Sequence, residues 1–282
     1  MTPVTSGGAC SSDENLVSES VVFTPGIRTE ASEGRIYAIG GPELCVVRDG
    51  EAVRIPWGPA GDGALYLGEL DGEPCFARAL ARDEAAPEGA VRLALRQLFG
   101  VLSDAEFGVA ARALGLTAWD RDHRHCGRCG AATERSAAER VRTCVQCGLG
   151  AYPRLSPAVI MLVERDGKAL LARNARFTLP FFSTLAGFVE VGETLEQAVA
   201  REVAEEAGIE IADIRYFGSQ PWPFTGSLMI GFTARWASGE IVPDPAELAD
   251  AGWFAPDALP PVPPKLSIAR ELIDDFVRRH GQ

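Results

Sequence analysis

Two tight cysteine pairs constrain this chain more than any other feature: C-G-R-C-G at Cys126 and Cys129, and C-V-Q-C-G at Cys144 and Cys147. Each C-x-x-C makes a knuckle in which the following glycine lets the backbone turn, so two thiolates can meet one ion. Four thiolates complete a tetrahedral zinc site and leave no open position, which makes the site structural rather than catalytic. The competing reading, two redox pairs, fits less well with two matched spacings in one short segment. With the thiolate set already full, His123 and His125 read as bystanders. A metal-stapled ribbon is therefore expected at residues 121–153, separating a lobe before it from a lobe after it.

Composition agrees with that division. The 282 residues are 46% hydrophobic, enough for two cores. Acids outnumber bases 39 to 27, a formal charge of -12, which argues against broad charge-driven binding to nucleic acid or anionic membrane. No apolar run approaches a membrane span and the N-terminus lacks a signal-like pattern, so a cytoplasmic location is expected, where thiols stay reduced. Residues 1–20 are small and polar and are expected to be a disordered tail. Residues 21–120 show short alternating runs (R-I-Y-A-I-G, L-C-V-V-R, A-L-Y-L-G-E-L, C-F-A-R-A-L) that predict strands. Helices are expected near Ala90–Phe99 and Ser103–Leu116, the second opened by a Ser103/Glu106 capping box. Between Trp119 and Arg154, seven Arg face four acids. That basic island either meets phosphate or solvates a small hairpin. Residues 154–282 open with an apolar strand from Pro157 and close with a helix at about Leu266–Arg279.

The strongest chemistry lies in G-F-V-E-V-G-E-T-L-E-Q-A-V-A-R-E-V-A-E-E-A-G-I, Gly187 to Ile209. Thr194–Ala207 has high helix propensity and Gly208 is a natural stop. At 100° per residue Glu202 and Glu206 continue the stripe that Leu195 and Val199 begin, with Glu205 beside them. Two carboxylates thus lie on the packing face, where a solvated acidic face would lie opposite it. Such acids raise their pKa or bind cations. Oxygen ligands suit Mg²⁺ or Mn²⁺, which favour phosphate-bearing substrates. Arg201 can pair with one acid and fix its rotamer. The plainer alternative is an amphipathic helix rich in surface Glu.

This segment resembles the complete Nudix box, G-x5-E-x7-R-E-U-x-E-E-x-G-U with U aliphatic: Gly187, Glu193 and R-E-V-A-E-E-A-G-I fill every fixed position. The resemblance implies an α/β (α+β) fold whose core is an α/β/α sandwich. It also implies metal-dependent cleavage of a nucleoside diphosphate linked to another group. Carried over, Glu202 and Glu206 would be Mg²⁺/Mn²⁺ ligands, Glu206 or Glu205 would help activate water, and the Ala186 carbonyl would join the metal.

A second motif, S-Q-P-W-P-F-T-G-S-L-M at Ser219–Met229, is similar to the substrate array of the NADH pyrophosphatase (NudC-type) Nudix family. That family also has a zinc ribbon and a Nudix-like N-terminal domain. The likeness implies an NAD(H) diphosphatase that makes NMN(H) and AMP, with removal of NAD caps from RNA 5′ ends as a related activity, and a homodimer. Substrate contacts would map to Glu139, Tyr152, Gln220, Pro221, Trp222, Pro223, Phe224, Thr225, Gly226, Ser227 and Ala269, with Glu247 as a further metal ligand. Phe188 would stack with Tyr152 around the nicotinamide, and Arg92 would reach in from the N-terminal lobe. Thr225 departs from the family's proline. Trp222 and Phe224 equally suit a dimer interface, and Glu247 a helix-start acid. Hydrolysis of another nucleotide such as ADP-ribose, or a non-catalytic zinc-ribbon nucleic-acid module, are the rival functions.

Overall fold

The computed structural model describes residues 22–81, 83–175, 181–265 and 267–281, so the tail expected at 1–20 lies outside the described residues. The alternating runs that follow become β1 (Phe23–Pro25), β2 (Glu33–Gly40), β3 (Glu43–Asp49), β4 (Ala52–Arg54), β5 (Trp57–Pro59), β6 (Leu65–Leu70), β7 (Glu73–Ala79) and β8 (Val91–Ala94). They form one sheet in the order β1-β6-β7-β2-β3-β4, with β5 on β2 and β8 on β3. Alternate residues of β2 point to opposite faces, as strand geometry requires. Tyr37 and Ile39 pack with Val109, Ala113 and Leu116 of a helix α1 (Asp104–Asp122), while Ile36 and Ala38 join a smaller cluster with Phe76 and Leu80.

One expected helix is absent. Ala90–Phe99 is β8 followed by a single 3-10 turn at Leu95–Leu98. Arg92 pairs with Cys45 and Leu93 with Leu44 of β3, a partner distant in sequence that local propensity does not register. Leu95 and Leu98 are buried by the turn that follows. The capping box of α1 forms as expected, Ser103 Oγ accepting from the Glu106 N–H and the Glu106 carboxylate from the Ser103 N–H, each at 3.3 Å. The helix continues past Leu116 to Asp122.

The ribbon is a three-stranded antiparallel sheet, β9 (Thr133–Arg135), β10 (Arg142–Cys144) and β11 (Gly150–Ala151), in the order β11-β10-β9. It is bolted to the end of α1. Buried Asp120 accepts from Arg135 at 2.5 and 2.6 Å and from Arg142 at 2.6 Å, and Trp119 Nε1 donates to the Ala151 carbonyl at 3.0 Å. The two guanidinium groups hold the Asp120 carboxyl below the usual range against the opposing effect of burial.

The last lobe comprises β12 (Ser156–Arg165), β13 (Lys168–Asn174), β14 (Leu185–Phe188), α2 (Leu195–Ala207), β15 (Glu210–Trp222), β16 (Ser227–Ser238), β17 (Leu248–Phe254) and α3 (Ile268–His280). Its sheet runs β15-β16-β12-β13-β17, with β14 on β12, and only β12 and β16 are parallel among these pairs. Period-2 alternation in β12 explains the two layers. Val159, Met161 and Val163 face Val199 and Val203 of α2, whereas Ile160 and Leu162 face Leu272, Ile273 and Phe276 of α3. The result is the expected α/β/α sandwich. Among the described residues no helix is long and apolar enough to cross a membrane.

Candidate active site and metal centres

The four cysteines converge as their spacing requires. Cys126 Sγ lies 3.6 Å from Cys147 Sγ and Cys129 Sγ 3.5 Å from Cys144 Sγ, and all four sulfurs fall within 4.8 Å of one another. Each knuckle points backbone N–H groups at its first sulfur: Arg128 N to Cys126, and Gln146 N and Cys147 N to Cys144, all at 3.4 Å. Donation from Cys147 and then Gln146 holds the Cys144 thiol down at about 6. Against donation from Ala131, the neighbouring sulfurs push the Cys129 thiol up, a crowding of thiolates that a bound cation would relieve. The donor set therefore fits one tetrahedral zinc ion. His123 instead caps α1, its Nδ1 2.8 Å from the Trp119 carbonyl.

The arginines of the ribbon divide between two uses. Arg135 and Arg142 bind Asp120, and Arg140 reaches the carbonyls of Gly26 and Tyr66 in the N-terminal lobe. Three of the seven thus hold the ribbon in place. Arg121 pairs with its neighbour Asp122 at the surface, and Arg124, Arg128 and Arg154 remain exposed.

The acidic helix is built by its caps. Thr194 accepts from Gln197 N at 3.2 Å, Gln197 Oε1 accepts from Thr194 N at 2.9 Å, and Gly208 ends α2 at φ 71°. Glu202 and Glu206 are buried, at 8% and 6% exposure, on the face that Val199 and Val203 pack against the sheet. Gly187 in β14 makes room for one of them: a Cβ there would stand 1.8 Å from the Glu202 carboxyl carbon. Arg201 fastens the loop to the helix. It forks onto Glu193 at 2.6 and 3.0 Å, donates to Glu202 at 2.9 Å and Glu205 at 3.0 Å, and reaches the Phe188 carbonyl at 2.9 Å. That fork pulls the Glu193 carboxyl down to about 2.

Glu206 has no such partner among the described residues. Burial first, then the charges of Glu202, Glu247, Asp244 and Glu205, push its carboxyl up to about 8. Glu247 sits in a turn before β17, its N–H donating to the Asp244 carbonyl at 3.1 Å, and not at the start of a helix. Asp244, whose N–H donates to the Glu206 carbonyl at 3.0 Å, is an addition the sequence reading missed. Its signal was its place just before Glu247 in D-P-A-E. Ala186 is exposed on β14 beside Gly187, opposite Ile160. Buried carboxylates with mutual repulsion and a cradle cut for one of them suit a hard divalent cation.

The remaining candidates fall into separate groups. Tyr152 donates to Glu139 at 3.2 Å, joining those two at the ribbon's edge. Tyr152 and Phe188 are 55% and 57% exposed and make no ring contact with each other among the described residues. Gln220, Pro221 and Trp222 end β15, pairing with Met229, Leu228 and Ser227 of β16. The proline-rich stretch therefore enters the ladder as far as Trp222. β15 is an edge strand, where proline's missing donor costs no ladder bond. Pro223–Gly226 form the turn, and Thr225 Oγ1 meets the buried Ser227 hydroxyl at 2.9 Å, a polar contact where the family's proline has none. Gln220 Oε1 accepts from Ile268 N at 2.9 Å, tying the hairpin to the start of α3. The Ala269 side chain is buried in the core beneath that helix, which leaves its backbone as what it can offer a ligand. Arg92 donates to the Ala81 and Glu84 carbonyls within the N-terminal lobe.

The sandwich and its carboxylate-bearing loop–helix define the class, a Nudix hydrolase. Family models match in three consecutive parts: an NADH pyrophosphatase-like rudimentary NUDIX domain at residues 16–119, an NADH pyrophosphatase zinc ribbon domain at 121–152 and a NUDIX domain at 153–276. The NAD-capped RNA hydrolase NudC of Deinococcus radiodurans is 45% identical over 82% of this chain and 85% of its own. That of Pseudomonas aeruginosa is 48% identical over 76% and 77%. A crystal structure of a Nudix hydrolase from Nitrosomonas europaea is 23% identical, covers 56% of this chain and 94% of its own, and aligns with a TM-score of 0.48. The chain belongs to the NudC family of Nudix hydrolases.

Proposed function

We propose that this chain hydrolyses the pyrophosphate of NADH and NAD⁺ to NMN(H) and AMP, and that it removes NAD caps from RNA. The observation that carries the reading is the buried pair Glu202 and Glu206, the first cradled by Gly187 and the second feeling the charge of Glu247. The names of the relatives supply the substrate class.

Glu202, Glu206, Glu247 and the Ala186 carbonyl would hold Mg²⁺ or Mn²⁺, which would neutralise the diphosphate charge and acidify the attacking water. Glu206, or Glu205 beside it, takes the proton from that water. Arg201 keeps Glu193, Glu202 and Glu205 in fixed rotamers. Tyr152 and Phe188 flank the nicotinamide, with Glu139 orienting the tyrosine, and residues Gln220–Ser227, the Ala269 backbone and Arg92 complete recognition. The exposed apolar side chains of Tyr152, Leu155, Phe188 and Val191 support a homodimer that covers them. A four-cysteine metal site, which needs its thiols kept reduced, supports a cytoplasmic protein.

Product analysis with added Mg²⁺ or Mn²⁺ tests the proposal. NADH should yield NMNH and AMP, NAD-capped RNA should yield a 5′-monophosphate end, and Glu206→Gln should abolish both while the protein stays folded. A higher kcat/KM for ADP-ribose than for NADH would overturn the substrate assignment.

A further inference from the structure

Among the described residues the N-terminal lobe has no counterpart of the carboxylate-bearing α2, yet it touches the hairpin that carries the proline–aromatic motif. Phe224, at the hairpin's turn, packs against the N-terminal core that contains Leu95 and Leu98. Trp222 meets Phe224 edge-on, with ring centroids 5.1 Å apart at 79°. Arg96, in the 3-10 turn between those two leucines, places its guanidinium carbon 4.4 Å from the Phe224 centroid and 5.9 Å from that of Trp222. No carboxylate competes for Arg96 among the described residues, so its charge is directed at the two rings. A cation over an aromatic face is held by the ring quadrupole, and a guanidinium plane adds stacking that an ammonium cannot.

The hairpin is gripped from two further sides. Gln220 is bonded to Ile268 N at the start of α3, and the Gly226 carbonyl accepts from Ser156 N at 3.0 Å. Those bonds fix its base and turn within its own lobe. The Trp222 and Phe224 rings, by contrast, meet the other lobe, at Arg96 and the core around Leu95 and Leu98.

We propose that Arg96 is a positioning residue for substrate recognition: it sets the Trp222–Phe224 pair from the N-terminal lobe, and so gives that lobe a part in choosing the substrate. The inference rests on the reading of this hairpin as the dinucleotide-recognition element. Arg96 acts through the two rings and has no part in bond cleavage, so its loss weakens binding and leaves chemistry intact.

Steady-state kinetics of Arg96→Ala, Arg96→Met and Arg96→Lys test this. Met keeps the length and packing of the stem without the charge, so it serves if Ala destabilises the lobe. Arg96→Met and Arg96→Ala should raise KM for NADH roughly 3- to 10-fold with kcat within about twofold, and Arg96→Lys should recover part of the loss. KM equal to wild type in Arg96→Met, or a fall confined to kcat, would overturn the proposal. A second arm needs no substrate: a double-mutant cycle of Arg96→Met with Phe224→Leu on the unfolding midpoint should show non-additivity. Additive effects would overturn the contact itself. Should NADH prove not to be a substrate, the first arm falls with the functional reading while the cycle still decides whether the lobes are coupled here.

Discussion

The Glu202 carboxyl carbon lies 1.8 Å from where a Cβ on Gly187 would stand, so the glycine is required by a neighbour rather than by its own backbone. Gly187→Ala should push Glu202 out of the cation site and lower kcat/KM by about 10²-fold, the scale of a misplacement near 1 Å, with secondary structure unchanged by circular dichroism. Glu206 supplies a second residue-scale prediction. Its carboxyl is raised from the ordinary 4.5 to about 8, so the folded chain binds a proton that the unfolded chain has released. Between those two values stability falls as pH rises, because holding Glu206 protonated is favourable only in the fold. Thermal melts without added divalent metal should therefore show a midpoint that declines from about pH 5 to about pH 8. Added Mg²⁺ should raise the midpoint most at the alkaline end, where the charged form is available to it. A metal effect independent of pH would contradict the site.

At the scale of the element, α2 was almost wholly legible in advance. Its propensity, its stop at Gly208 and its acidic packing stripe are local properties, and local properties survive folding. Arg201 was expected to hold one acid, but it holds three and a carbonyl, because the loop from Phe188 to Glu193 folds back along the helix. Lys presents a point charge that cannot serve four acceptors at once. Arg201→Lys should reduce kcat/KM by about 10- to 100-fold, the effect typical of losing a group that orients metal ligands. A fall smaller than threefold in steady-state kinetics would show that the loop is held by other means. The segment at Ala90–Phe99 was misread for the opposite reason. Its residues tolerate a helix, and only the pairing of β8 with β3 makes it a strand. A central ladder excludes proline, and the edge position of β15 is what admits Pro221.

Over the whole molecule, the zinc ribbon is the joint. It contacts α1 through Asp120 and the N-terminal lobe through Arg135 and Arg140, and it presents Glu139 and Tyr152. Structural zinc contributes on the order of 10 kcal/mol to such a small unit, far more than its few apolar side chains can. Removing the zinc with a selective chelator, or Cys144→Ser, should loosen this joint, raise KM for NADH and lower the first thermal transition. Unchanged KM in metal-depleted protein would separate the ribbon from recognition. The sequence by itself determined what depends on neighbours along the chain: the thiolate knuckles, the capped acidic helix, and the alternation that gives β12 two buried faces. Only the tertiary structure decided what depends on distant neighbours. It spent three ribbon arginines on holding lobes together, buried Ala269 beneath α3, and set Arg96 over Trp222 and Phe224. Periodicity and propensity report which face of an element is apolar, and a contact between elements exists only once the chain has brought them together.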